Sequence, residues 1–285
     1  MPDIDEYQFQ APGTQHSGRE SGGGPRVPRA ALIVAALVVV VAVAAYLMFG
    51  GRFSSSDAPG PATTAAPQVD KPLADDAERI ALPALDDSDA LVRQRVGVLS
   101  SHPLVSAWLA GTGLIRNFVV VVDNISHGMT PSKHLSVLRP GGRFRVVMRG
   151  DRAVIDPGNY DRYSGIVAAA RSIDPRVAAR TYGTFKPLLQ TAYDELGNQE
   201  PIDRALERAI VPLLRVPAVD GDIRVQLAGE GIGYEYEDPK LETLTGAQKQ
   251  LLRMGAGNVR AIQQQLREFA LALGIPAQRL STGTP

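Results

Sequence analysis

The segment Asp174-Pro175-Arg176-Val177-Ala178-Ala179-Arg180-Thr181-Tyr182-Gly183-Thr184-Phe185-Lys186-Pro187-Leu188-Leu189-Gln190-Thr191-Ala192-Tyr193-Asp194-Glu195-Leu196-Gly197 carries a complete helix signal. Asp174 can cap its start, Pro175 suits the first turn, and Gly197 suits the stop. Ala178, Tyr182, Phe185, Leu189, Ala192 and Leu196 recur on one stripe. Pro187 sits inside the pattern and predicts a kink. An apolar stripe of this length needs partner faces, so a compact helical domain is predicted around it.

The partner faces lie on both sides. Upstream, Ser88 can cap a helix carrying Leu91, Val92, Val96 and Leu99. Pro103 can open a short helix with Leu104 and Trp108. Leu114, Phe118, Val122 and Ile125 recur at helical spacing, although Val119 to Val122 also suits a buried strand. Downstream, a helix is predicted from Ile202 to Leu214. Thr245 and Gln248 fit a capping box that Gly255 would close. Val259, Ile262, Leu266, Phe269 and Leu273 form the last stripe, with Gly274 beyond it.

Strand signals are confined to two places. Phe144, Val146 and Met148 alternate with arginines, and Gly150-Asp151 turns into Arg152 to Ile155. Ile223, Val225 and Leu227 alternate, then Ile232, Tyr234 and Tyr236. One small antiparallel sheet accommodates both. Its basic segment (Lys133, Arg139, Arg143, Arg145, Arg149, Arg152) is expected to face its acidic segment (Glu230, Glu235, Glu237, Asp238, Glu242) and neutralise it.

Before this domain, residues 30–49 contain no charge. Twenty residues at about 1.5 Å rise span roughly 30 Å, the hydrocarbon thickness of a bilayer. A cleaved signal peptide would have a shorter apolar run and a shorter leader, and a core helix would carry a polar face. A retained transmembrane helix is therefore expected. Arg19, Arg26 and Arg29 precede it and only Arg52 follows closely, which places the N-terminus in the cytoplasm. Ala31 and Ala35 form a small-xxx-small pair compatible with a homodimer. The organisation read from the chain is a disordered cytoplasmic tail at 1–29, the span at 30–49, a Pro/Ala/Ser-rich linker at 50–77, a periplasmic helical domain at 78–274 and a polar tail at 275–285.

Composition narrows the chemistry. The chain has 285 residues, with 30 Lys+Arg against 30 Asp+Glu, which argues against a nucleic-acid partner. It has no cysteine, which excludes disulfides, iron–sulfur clusters and thiol catalysis.

Five segments carry a family resemblance: Leu82-Pro83-Ala84-Leu85-Asp86-Asp87-Ser88-Asp89; Phe118 to Asn124; Val154-Ile155-Asp156-Pro157-Gly158-Asn159-Tyr160-Asp161-Arg162-Tyr163; Lys186-Pro187-Leu188-Leu189-Gln190-Thr191-Ala192-Tyr193; and Leu244-Thr245-Gly246-Ala247-Gln248-Lys249-Gln250-Leu251-Leu252-Arg253-Met254-Gly255. Together they resemble the bacterial family of unknown function numbered 3014, over about residues 81–273. The resemblance implies domain boundaries and a Gram-negative envelope location, and no activity.

Searching for chemistry yields little. No G-x-S-x-G, S-x-x-K or H-E-x-x-H motif occurs. Gly229, Gly231 and Gly233 lead into Tyr-Glu-Tyr-Glu, so a turn between strands explains them better than a phosphate loop. Asp123, His127 and His134 could form an acid–base or metal group, but a histidine at a helix C-terminus explains His127 more simply. The densest polar-aromatic cluster is Asp156, Asn159, Tyr160, Asp161 and Tyr163, a candidate sugar- or peptide-binding site, with turn and cap chemistry as the plainer account. Arg143, Arg145 and Arg149 are candidates for contact with an anionic surface. No metal and no cofactor are expected. The expected function is a non-catalytic envelope module, anchored through 30–49 in the inner membrane, that binds an envelope protein or cell-wall component. The alternative is an envelope hydrolase using the Asp/Tyr or Asp/His group.

Overall fold

The computed structural model describes residues 72–131, 139–228 and 233–281. The tail, the expected transmembrane span and the linker up to residue 71 lie outside the described residues, as do His134, Glu230 and Ile232. A 3-10 helix (Leu85–Asp87) leads into α1 (Asp89–Val96), α2 (Pro103–Leu109) and α3 (Leu114–Ser126). A hairpin follows, β1 (Val146–Arg149) and β2 (Arg152–Ile155), then a 3-10 helix (Pro157–Tyr163), α4 (Ser164–Arg171), α5 (Pro175–Glu195) and α6 (Ile202–Leu214). A second pair of strands, β3 (Val225–Leu227) and β4 (Tyr234–Tyr236), precedes α7 (Pro239–Glu242), α8 (Gly246–Leu252), α9 (Ala256–Leu273) and a last 3-10 helix (Ala277–Leu280). The fold is mainly helical with two small antiparallel sheets.

The expected stripes form the core. On α9, Val259, Ile262, Leu266, Phe269 and Leu273 are all buried, against α5, α4 and α6. On α5, Asp174 caps the start through bonds from Arg176 N at 2.8 Å and Val177 N at 3.2 Å. Ala178, Tyr182, Phe185, Leu189 and Ala192 face inward. Leu196 does not: it follows the last helical residue and is exposed. The ambiguous Val119 to Val122 run is helical, because α3 packs between α6 and α5 and buries a helical rather than an alternating set. Gly255 opens α9 instead of closing α8, while the Thr245/Gln248 capping box forms as expected.

Among the described residues no single helix is long and apolar enough to cross a membrane. The α2–α3 pair passes by length and composition, but it bends by 107° and contributes Trp108, Phe118 and Val122 to the core. Polar side chains of α1 hold that bend. Asp89 accepts bonds from Gly113 N and Leu114 N, both at 2.8 Å, capping α3 from a different helix. One turn on, Arg93 donates to the carbonyls of Leu109 at 2.9 Å and Gly111 at 2.6 Å, satisfying the end of α2.

Both expected boundaries move outward. Leu73 and Ala74, placed in the linker by composition, are buried. Ile275 and Leu280, placed in a polar tail, are core residues. Short apolar residues at a domain edge carry no periodicity, so only their contacts reveal them.

The hairpin of β1 with β2 forms as expected, and β3 pairs with β4, but in two sheets and not one. One bridge, Val154 to Arg224, and the bond from Ile155 N to Ile223 O at 3.0 Å join the two sheets. The basic strand β1 therefore faces its own hairpin partner, with Arg149 opposite Arg152, and not the acidic strand β4. A two-residue turn with Gly150 at φ +64° fixes that register locally.

The cap supplied by Asp89 generates a stability prediction. Asp89→Ala should cost about 1–2 kcal/mol and lower the thermal midpoint by roughly 3–6 °C. Asp87→Ala, at an exposed position, should leave the midpoint unchanged within about 1 °C, as measured by circular dichroism melts.

Candidate functional site

The Asp156–Tyr163 segment is a 3-10 turn, and the structure assigns its members separate tasks. Asp156 is the cap: it accepts from Gly158 N at 2.8 Å and pairs with Arg145 Nε at 2.9 Å. Asn159 is buried and reads the backbone of the strand preceding it. Its Oδ1 accepts Arg145 N at 2.9 Å, and its Nδ2 donates to the carbonyls of Arg145 and Asp156, both at 2.7 Å. A side-chain amide that bonds both groups of one residue stands in for a neighbouring strand. Tyr163 is buried, and the Tyr160 carbonyl accepts from Asn258 Nδ2 at 3.0 Å. Burial raises the Tyr160 pKa, helped by the nearby carboxylates of Asp222 and Asp156. Asp161 is exposed. Local turn chemistry thus accounts for Asp156 and Asn159, and the five side chains do not share one environment.

The three candidate arginines line the hairpin. Arg143 is exposed. Arg145 is engaged with Asp156, and Arg149 Nη1 lies 2.7 Å from an Asp222 oxygen. Both guanidinium groups remain more than half exposed, so the pairs are solvated and contribute little to stability. Among exposed apolar side chains are Met148 at 65% and Val147 at 36% of full accessibility on β1, on opposite faces, and Leu227 at 64% on β3.

His127 sits at the C-cap of α3, with Nδ1 2.8 Å from the Asp123 carbonyl and 3.6 Å from its carboxylate. That is a helix-end contact, too long for a carboxylate–imidazole hydrogen bond. Among the described residues no three His, Asp or Glu side chains are grouped to hold a metal.

The most convergent polar centre was not singled out by sequence. Tyr182 and Lys186 lie one turn apart on α5 and meet Asp203 from the first turn of α6. Asp203 Oδ1 accepts from Tyr182 Oη at 2.6 Å, and Oδ2 accepts from Lys186 Nζ at 2.5 Å and from Leu73 N at 3.1 Å. Lys186 Nζ also donates to the Leu73 carbonyl at 3.0 Å. Burial, then Asp203, pushes the Tyr182 pKa well above its ordinary value. A cavity of about 330 Å³ opens beside this centre, lined by Pro72, Leu73, Pro201, Glu207 and Ile275 among others. Both Asp203 oxygens are committed to donors, so the centre is a clamp on main chain. Tyr182 and Lys186 one turn apart were a readable signal; Leu73, 130 residues from Asp203, was not.

Two measurements follow from this geometry. Asn159→Ala leaves the Arg145 N–H without its acceptor, while the Arg145 carbonyl keeps the Asp156 N–H, and should cost about 1–3 kcal/mol in urea unfolding, against less than about 0.5 for Asp161→Ala. Tyr236, buried under the second sheet, has its pKa pushed up to about 12, with Arg253 partly opposing the shift. The folded state keeps this phenol neutral, so its contribution is full below about pH 10, the unfolded value, and is lost as pH rises toward 12. Stability should therefore fall between about pH 10 and 12, and Tyr236→Phe should flatten part of that fall.

No curated protein and no solved structure matches this chain. The profile of the family described as "Protein of unknown function (DUF3014)" matches residues 114–270, from the first residue of α3 into the last turns of α9. That stretch is more than half of the chain and contains the hairpin, the Asn159 hook, and the side chains of the Asp203 clamp, so the chain belongs to the DUF3014 family of proteins of unknown function.

Proposed function

We propose that the chain is a single-pass inner-membrane protein whose outer domain is a non-catalytic binding or scaffolding module of the cell envelope. Residues 30–49 cross the bilayer, the tail at 1–29 is cytoplasmic, and the domain stands in the periplasm. The uncharged twenty-residue run and the arginines before it support this topology.

One observation carries the binding role: the exposed apolar hairpin stands away from the point where the chain enters the domain. Entry is at Ala74, whose N–H bonds to the Leu273 carbonyl at 2.9 Å, at the C-terminal end of α9. The hairpin stands near the other end, where Asp220 and Asp222, two residues apart, pair with Arg260 of α9 and Arg149 of β1. Thirteen residues of helix separate Arg260 from Leu273, about 20 Å. Met148 and Leu227 are thus displayed on the side remote from the tether, on a hairpin edge that also carries Arg143, Arg145 and Arg152. Exposed apolar side chains on a hairpin rich in arginine fit a protein partner carrying an apolar patch bordered by carboxylates. Arg145 and Arg149 already have carboxylate neighbours, which weighs against a contact that is electrostatic alone.

Photo-crosslinking in whole cells tests this reading. A photoreactive residue at Met148 of the full-length protein should capture a discrete envelope protein, and the same residue at Gln264 on α9 should not. Met148→Glu should reduce capture from a probe at Leu227 at least about tenfold, since burying an uncompensated charge in an apolar interface is costly. Equal capture from Gln264 would remove the proposal.

A further inference from the structure

Residues 72–77 are held in a way that ordinary domain edges are not. The clamp touches the main chain of Leu73 from both sides, Asp203 taking its N–H and Lys186 giving to its carbonyl. The next N–H, of Ala74, goes to Leu273. Below this segment, α5 carries a glycine in the middle of its 21 residues. A Cβ at Gly183 would lie 2.3 Å from the Ala77 Cβ and 2.6 Å from the Ala74 carbonyl oxygen. The helix therefore accepts a poor helix former so that the segment can lie flat on it. Ala74 itself sits at φ +51°, a left-handed conformation that a residue with a Cβ adopts at a cost.

These features make an attachment of limited strength. Only Leu73 and Ala74 of the segment are buried. Against one large apolar side chain and a few part-buried hydrogen bonds stands the ordering of six residues. The adjoining cavity leaves the Leu73 side of the segment partly unpacked. From residue 77 to 84 the chain has no regular structure before the 3-10 helix Leu85–Asp87.

We propose that residues 72–77 are a releasable strap that sets the length of the tether. Docked, the strap makes residue 71 the last of the linker and keeps the hairpin on the side remote from the entry point. Released, it frees residues 72–77 up to Glu78, which pairs with Arg95, and adds about 20 Å of extended chain to the reach of the domain. It also uncovers the Gly183 groove and the Asp203–Lys186 pair. The length role rests on the tethered topology proposed above; the release itself does not, and the two are measured separately.

Hydrogen exchange of the full-length protein in lipid nanodiscs reads the release. The Leu73 and Ala74 amides should exchange at least about 100-fold faster than those of Ile262 and Leu266 in α9. Gly183→Leu, which fills the groove with a good helix former, should bring the strap amides to unprotected rates while leaving the thermal midpoint of the domain unchanged or higher. A second variant replaces residues 72–77 with a Gly-Ser stretch and should also keep the fold. Strap amides that exchange only as fast as α9, or loss of the fold in the Gly-Ser variant, would show a fixed structural element and overturn the release. The native chain has no cysteine, so Gly51→Cys and Met148→Cys can be labelled cleanly for energy transfer. Transfer should fall in Gly183→Leu. Unchanged transfer with freed strap amides would overturn the length role and leave the release standing.

Discussion

The packing of α9 along α5 is the constraint on which the rest of the molecule depends. Each helix presents one apolar stripe, and each stripe is covered by the other helix together with α3, α4 and α6. Fully burying a side chain such as Leu266 or Phe269 contributes roughly 1.5–3 kcal/mol, so five such positions on α9 outweigh any single polar contact in the domain. Once these two helices are fixed, their ends become fixed points. The entering chain is pinned at the C-terminal end of α9, and the hairpin is built out near its N-terminal end. The separation of the entry point from the hairpin is a consequence of that one packing.

Polar side chains then act on the main chain of other segments rather than on substrate-like space. Asp89 caps α3 and Arg93 closes α2. Gln263 of α9 places Nε2 within 3.2 Å of three carbonyls, Leu213, Leu214 and Val216, at the end of α6. Asn159 hooks Arg145, and Asp203 with Lys186 grips Leu73. Each satisfies backbone groups that helix ends and short strands leave unpaired, which is the recurrent problem of a fold made of short elements. The Asp156–Tyr163 cluster looked like a site because such stitching residues are the same types that bind ligands. Asp156 and Asn159 are engaged in such stitching, while Asp161 faces solvent.

Much of the helical framework was legible. Periodicity located α3, α5, α6 and α9, and the capping box before α8 was visible as Thr245 and Gln248 three residues apart. The hairpin turn at Gly150-Asp151 was legible for the same reason. These signals are local: they arise from the helical repeat, from orphan N–H groups of a first turn, and from one glycine's access to positive φ. The charge pairing of the strands was misjudged because opposite net charge does not say which segments are neighbours: Arg145 and Arg149 pair with Asp156 and Asp222, outside the acidic strand. The edges at Leu73, Ile275 and Leu280 were missed because a single apolar residue in a Pro- or polar-rich stretch has no period.

Length, charge balance, the absence of cysteine, the uncharged run at 30–49, the helix stripes and the family motifs were all readable without coordinates, since each is a property of neighbouring residues. The roles of the polar residues were not. Asp203 meets a backbone group 130 residues away, and Asn159 meets one 14 residues back. Gly183 matters because of Ala74 and Ala77, and Leu196 faces water because its helix ends one residue earlier. Such contacts depend on where packed helices bring distant chain together, and side-chain type alone carries no record of that.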